Sequence, residues 1–235
     1  MMKNDKQIYN RVYRNEIKFY IDNHGYMHLS KLLSKTLSLD KNSGSNNEYW
    51  IRSLYFDSMY DRDYFDKVVG SQNRKKIRLR IYDIAQEKVK LEIKNKFDQY
   101  MLKESVTIGR QDAIDLIKGN KEVLLKYNNK TANRVYYFMN KEFYQPKVIV
   151  DYKREAYTCP VQDIRITFDK DIRTTITDFN IFDDKLNTIP IFKQHTMVME
   201  VKYNRFLPDW IKDMLSNING DKCAISKYCL SRNIF

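Results

Sequence analysis

The sequence predicts an α+β protein built on an antiparallel sheet whose strands put charge on one face and aliphatic side chains on the other. Three observations predict it. A period of two, the strand repeat, recurs in EIKFY, IRLRIY, VKLEIK, RITFD and MEVKY. Segments of helical spacing lie between and after these strands. The 235 residues are 43% hydrophobic and 31% charged, enough for a buried core and too apolar for general disorder.

Residues 1–10 read as a polar, flexible leader, and 11–235 as one domain, because no repeat, low-complexity tract or linker divides them. RNEIKFYI sets Glu16, Lys18 and Tyr20 against Ile17, Phe19 and Ile21. From Tyr26 to Leu39 the apolar spacing (Met27, Leu29, Leu32, Leu33, Leu37) lengthens to that of an amphipathic helix, with Asp22 or Asn23 to cap it. KNSGSNNE is a loop, and YWIRSLYFDS a strand ending at Asp57. Tyr60–Val69 is a short helix or turn carrying Lys67, broken off by Gly70–Asn73.

Arg74–Lys103 is then the most regular stretch. Arg78, Arg80 and Tyr82 oppose Ile77, Leu79 and Ile81, and Lys90, Glu92, Lys94 and Lys96 oppose Val89, Leu91 and Ile93, with DIAQEK as the hairpin connection. MLKESVTIG extends the sheet with Lys103. Arg110–Gly119 and Glu122–Phe143 read as helices. KVIVDYKREAY and DIRITFDKDIR restart the strands, with Arg154 beside Tyr152 and with Arg165, Thr167 and Asp169 on one face. Phe179–Ile191 is a weaker segment around an acidic turn. TMVMEVKY follows, with Glu200 and Lys202 together, and then short helices from Pro208 and over Ala224–Leu230.

Forty-two Lys and Arg against 30 Asp and Glu give a net charge of +12. Such an excess calls for an anionic partner: nucleic acid, a phosphorylated metabolite, a polyanion or an acidic membrane surface. Cys159, Cys223 and Cys229 show no CxxC spacing. The N-terminus has no apolar leader core, and no run approaches the about 20 apolar residues of a membrane span. A reducing, cytoplasmic setting is expected, and any work at the inner face of a membrane would need a membrane-protein partner. GxxxxGK[ST], HExxH and GxSxG are all absent. His24 and His28 lack the intervening Glu and read as surface residues, and His195 as structural. The aromatic residues are scattered rather than clustered, so nucleic-acid binding is not expected.

Two architectures satisfy this pattern. In a sandwich the aliphatic faces meet and the charges face water. In a curled or closed sheet the helices cover the aliphatic outside, and the charges line a wet interior, since unpaired buried charge is too costly to be left dry. The pattern alone favours the first, as most charged strand residues face water. Carboxylates standing singly among the cations (Glu16, Glu92, Glu200) and paired arginines, whose forks suit phosphate oxygens, weigh against it and leave both open.

RNEIKFYI, IRSLYFDS, NRKKIRLRIYD with KLEIKNK, LKES, VDYKREAY, RITFDKDIR, MEVKY and SKYC occur in an order and spacing that resembles the VTC-type polyphosphate polymerase domain of the CYTH, or triphosphate tunnel, superfamily, over about Tyr13 to Ile234. The resemblance implies an antiparallel β-barrel with a basic interior and flanking helices. It implies transfer of the ATP γ-phosphate to a growing polyphosphate chain with Mn²⁺ or Mg²⁺. By motif position, Arg78, Arg80, Lys94, Arg154, Arg165 and Lys202 would act on the reacting phosphates. Lys18, Lys67, Arg74, Lys103, Ser226 and Lys227 would bind the rest of the substrate, with Lys67 and Arg74 at one mouth. Glu200 would hold the metal, supported by Glu16 and Glu92. A triphosphatase would use nearly the same ligands, and a non-catalytic polyanion-binding domain is the alternative of another class. The strands readable in the sequence are fewer than a closed tunnel needs, and the rest are expected within Phe179–Ile191.

Overall fold

The computed structural model describes residues 14–97, 100–160, 163–192, 195–216 and 222–234. The expected leader, 1–10, lies outside them. The strands are β1 (Arg14–Ile21), β2 (Ser38–Leu39), β3 (Glu48–Asp57), β4 (Asn73–Ile81), β5 (Lys88–Phe97), β6 (Tyr100–Gly109), β7 (Gln145–Cys159), β8 (Ile164–Thr175), β9 (Ile189–Pro190) and β10 (Met197–Asn204). The helices are α1 (Asn23–Thr36), α2 (Arg62–Val68), α3 (Arg110–Ile117), a 3₁₀ turn (Glu122–Tyr127), α4 (Lys130–Lys141), α5 (Asp209–Ser216) and α6 (Lys227–Arg232).

All the long strands join one antiparallel sheet in the order β1-β10-β8-β7-β3-β4-β5-β6, with β2 added to β7 and β9 to β8. The sheet is barrel-like but not closed: β1 and β6 end the order and are not paired to each other. The Lys94 ammonium of β5 nevertheless lies 3.3 Å from a Glu16 carboxylate oxygen of β1, so side chains meet where the backbone ladder stops.

The aliphatic faces of the strands form the convex side. Ile77, Leu79, Ile81, Leu91 and Ile93 are fully buried there and are covered by α3, the 3₁₀ turn and α4 through Leu116, Leu124, Val135 and Met139. Ile166, Phe168, Met199 and Val201 make a second cluster, covered by Leu29 and Leu33 of α1 and Ile211 of α5. Period-two strands thus meet helical stripes on the outside, and the charged strand faces turn inward. Among the described residues no helix is long and apolar enough to cross a membrane.

Several elements differ from expectation, each for a local reason. The helix expected over Glu122–Phe143 is two pieces. Asn128 adopts φ 37°, ψ 43°, which ends the 3₁₀ turn, and the Asn129 side chain accepts hydrogen bonds from the Thr131 and Ala132 amides to start α4 afresh. Phe179–Ile191 supplies only the two-residue β9. Its chain is held in turns by Asp178, Asn180 and Asp183, whose carboxylate or amide oxygens accept from backbone amides two residues on. Asp22, not Asn23, caps α1, accepting from the Gly25 amide.

The C-terminal helix begins at Lys227, not Ala224, capped by the Ser226 hydroxyl. It lies against the concave side, where Ile225, Tyr228 and Cys229 pack on Tyr55, Val148, Val150 and Val198. This apolar plug covers the part of the interior lined by β3, β7 and β10, at the end where β3 finishes and β7 and β10 begin.

Asp57 anchors it. This fully buried carboxylate closes β3, accepts from the Asp63 and Tyr64 amides at 2.9 Å each, and accepts from the Tyr228 hydroxyl. It caps α2 from a distance, since Asp61 at the N-cap position makes no side-chain cap. Asp57→Ala is expected to cost about 2–4 kcal/mol, because one charge satisfies several buried donors. Urea denaturation checks this, and a midpoint unchanged from wild type would remove Asp57 as the junction.

Candidate anion site on the concave face

The inner side chains come from successive strands in register, and they gather around three carboxylates or carboxylate pairs. On β1 and β10, Lys18 stands opposite Glu200 and Glu16 opposite Lys202. Glu16 lies 2.6 Å from Lys18 and 3.3 Å from Lys94, while Glu200 lies 3.4 Å from Lys18 and in close contact with Lys202. On β4 and β5, Arg78 stands opposite Glu92. The Glu92 carboxylate accepts from Arg78 at 2.7 Å, lies 3.8 Å from Arg80 and contacts Lys103. On β7 and β8, Arg154 faces Asp169, with two hydrogen bonds of 2.6 and 2.8 Å, and Lys227 of α6 contacts the same carboxylate.

Three candidates stand at the ends of this interior. Arg165 is at one rim, 2.6 Å from Asp40 and 2.8 Å from the Tyr49 hydroxyl, with its side chain about a third exposed. Arg74 donates to the Ser71 carbonyl at 2.9 Å on the other side, where Lys67 is also partly exposed. Burial first, and then the charges of Arg74, Lys18 and Lys96, hold the Lys67 ammonium below its ordinary range. Ser226 accepts from the Lys76 ammonium at 2.6 Å while capping α6. Every inner position proposed from the sequence therefore lies on one concave surface or its rims.

Burial works against every charge here, and the pairing decides the outcome. Burial raises the Glu92 carboxyl, but Arg78, Arg80 and Lys103 outweigh it and hold the group down to about 2. Asp169 is likewise about 2, since Arg154 and Lys227 overcome its complete burial. Glu16 is raised by burial and by the neighbouring Glu200, yet Lys18, Lys94 and Lys202 bring it to about 2. The cations are less well served. Burial pushes Lys94 down to about 8, with Lys18 and Lys202 adding repulsion and only Glu16 strongly opposing. Lys103 and Lys76 are also held below their ordinary range, chiefly by burial. Among the described residues cations outnumber carboxylates on this face, so the surface is preorganised for added negative charge.

Among the described residues no three His, Cys, Asp or Glu side chains form a ready-made metal cage. Glu16 and Glu200 do fit a divalent ion. They share Lys18, and they are two carboxylates brought together from neighbouring strands, with the Glu200 Oε1 atom in contact with Lys202. Hard cations such as Mg²⁺ take one or two carboxylates and complete their shell with substrate phosphate and water. Glu92 stands apart from this pair, with both oxygens engaged by Arg78, Arg80 and Lys103.

Asp169, Tyr55 and Lys76 also belong to this face, though no motif singles them out. Asp169 shares a strand face with Arg165, and its partner Lys227 arrives from α6, distant in sequence. Tyr55 accepts from Arg78 at 3.0 Å; burial raises its phenol, and Arg78, Arg80 and Lys76 bring it down to about 8. Lys76 shares the face of Arg78 and Arg80, and that alternation was the signal available.

The family model described as "VTC domain" matches residues 13–235. No curated protein matches the chain in sequence. Among solved structures, HpAC1 of Hippeastrum carries the designation adenylyl cyclase and is described as having a dominant triphosphatase activity. It is 17% identical, with a TM-score of 0.55 over 93% of this chain and 94% of that one. A Bacillus halodurans protein designated an adenylate cyclase is 9% identical, with a TM-score of 0.52 over 90% and 92%. At these identities the likeness is one of fold alone.

Glu92 links the site to stability through pH. Its folded value lies below the ordinary carboxylate value, so its contribution is complete above about 4.5 and disappears as pH falls towards 2. At neutral pH that contribution is on the order of 3 kcal/mol. Glu92→Gln is expected to lose roughly this much at pH 7 and little at pH 2, read by urea denaturation across the range. Parallel acid limbs for variant and wild type would contradict the pairing.

Proposed function

Because the chain belongs to the VTC domain family, we propose that its concave face binds ATP and polyphosphate and transfers the ATP γ-phosphate to the growing polyphosphate chain. One observation carries this reading: guanidinium and ammonium groups from β1, β4, β5, β6, β7, β10 and α6 converge on one interior with too few carboxylates to balance them. A linear phosphate chain supplies what is missing, with charge spread along its length.

Phosphoryl transfer asks little covalent chemistry of a protein. It needs in-line positioning of donor and acceptor, and compensation of charge on the phosphate oxygens. Arg78 and Arg80 suit this because Glu92 and Tyr55 already fix the Arg78 fork, and Ser53 accepts from Arg80 at 3.2 Å, so little freedom is left to lose on binding. Asp169 does the same for Arg154 and Lys227. Lys18, Lys94 and Lys202 surround Glu16 and Glu200, where a bound Mn²⁺ or Mg²⁺ would be held and would offset charge on phosphate oxygens. Lys103 and Arg165 extend the cationic wall, and Ser226 keeps a hydroxyl proton to donate. Lys67 and Arg74 meet the chain at the mouth. A polyphosphate acceptor is already anionic, so no side chain is required to deprotonate it. The same groups would serve hydrolysis if water reached the acceptor position.

Incubating the protein with ATP and Mn²⁺ and resolving products on a gel tests the reading. A polyphosphate ladder is expected. Phosphate alone would make the protein a triphosphatase, and no turnover would remove both activities. Glu200→Gln is expected to lower turnover roughly 100-fold or more while the protein still binds tripolyphosphate. Near-normal turnover in that variant would take Glu200 out of the metal site.

A further inference from the structure

Across β4, β5 and β6 three lysines stand directly opposite one another: Lys76 faces Lys94, and Lys94 faces Lys103. Like charges in register repel, so each needs its own counter-charge. Lys94 has Glu16, and Lys103 has Glu92. Lys76 has none. Among the described residues no carboxylate lies within ion-pair distance of it. Its ammonium donates to the neutral Ser226 hydroxyl at 2.6 Å and sits 5.8 Å over the Tyr228 ring, a weak substitute for an anion.

The surroundings repeat this imbalance. Lys76 is on the α6 side of the interior, on the same strand as Arg74 and next to the region of Lys67 and Lys96. Glu16, Glu92 and Glu200 pair instead with other cations further along the strands. Holding a cation against a neutral partner costs stability, and here that cost has no structural return. Ser226 already caps α6 through the Cys229 amide, and Tyr228 is already tied to Asp57, so α6 is positioned without the lysine.

We propose that Lys76 is a chain-extension subsite: it binds phosphoryl units of a linear polyphosphate beyond the three of a reacting triphosphate, and so distinguishes a long chain from a nucleotide or tripolyphosphate. This rests on the phosphate-binding reading above, and it adds the prediction that affinity on this face depends on chain length through one side chain. No bond is made or broken at Lys76. It is a binding residue, placed where an anion longer than the metal-centred site would extend towards Arg74 and Lys67.

The test compares wild type, Lys76→Met and Lys76→Arg by calorimetric titration with tripolyphosphate and with long-chain linear polyphosphate at low salt, together with melting of the ligand-free proteins. Lys76→Met keeps the aliphatic stem and removes the charge. It is expected to bind the long chain roughly tenfold more weakly and tripolyphosphate within about twofold of wild type. Its ligand-free melting temperature should rise by about 2–4 °C, because an unpaired charge has gone, and Lys76→Arg should stay near wild type in long-chain affinity. A lower melting temperature with unchanged long-chain affinity would make Lys76 a tether for α6 and overturn the proposal. Equal losses for both ligands would place it in the triphosphate site, which also overturns it. If wild type binds neither ligand, the phosphate-binding reading itself fails, an outcome separate from either of these.

Discussion

Turning a charged strand face inward is the constraint on which the rest of the structure depends. Each inner cation loses water, and the fold compensates by setting carboxylates directly opposite cations across neighbouring strands: Lys18 with Glu200, Arg78 with Glu92, Arg154 with Asp169. Register does this work, since a slip of one residue would send each pair to opposite faces. The compensation stops short of neutrality. The Glu16, Glu92 and Asp169 carboxylates are held near 2 while Lys94, Lys103 and Lys76 are pushed below their ordinary range, chiefly by burial. A surface left in that state has stored its affinity in advance, as positioned charge that need not reorganise when an anion arrives.

The convex side exists to make this possible. The two apolar clusters beneath α3 and α4, and beneath α1 and α5, supply the burial that offsets the cost of the interior. The plug at one end has a double role. Ile225, Tyr228 and Cys229 fill the apolar part of the interior, while Ser226 and Lys227 of the same segment reach the charged part. Asp57 joins this segment to α2 and β3, so a stability element and a site element share one carboxylate. The open seam between β1 and β6 is narrowed by side chains alone, through Glu16 and Lys94.

Much of this was legible in the sequence because alternation records facing. Which residues share a face on β1, β4, β5, β8 and β10 follows from a period of two. The direction in which that face points does not, because the same alternation serves a sandwich with its charges in water. Motif order, compared with a known family, resolved what periodicity left open. The misses share a cause: they depend on contacts distant in sequence. Lys227 finds Asp169 from a six-residue helix too short to show a stripe, and Lys76 is conspicuous only once its neighbours are seen to be paired. The break at Asn128 was the exception, a local feature that its own side-chain chemistry explains.

A concave face short of negative charge should take up a phosphate chain in preference to a simple anion. Melting the wild-type protein in increasing tripolyphosphate, against sodium chloride of matched ionic strength, tests it most directly. Selective binding to the folded state predicts a melting temperature that climbs with the logarithm of tripolyphosphate concentration and a much smaller change with chloride. No shift with tripolyphosphate, or an equal shift with chloride, would contradict it.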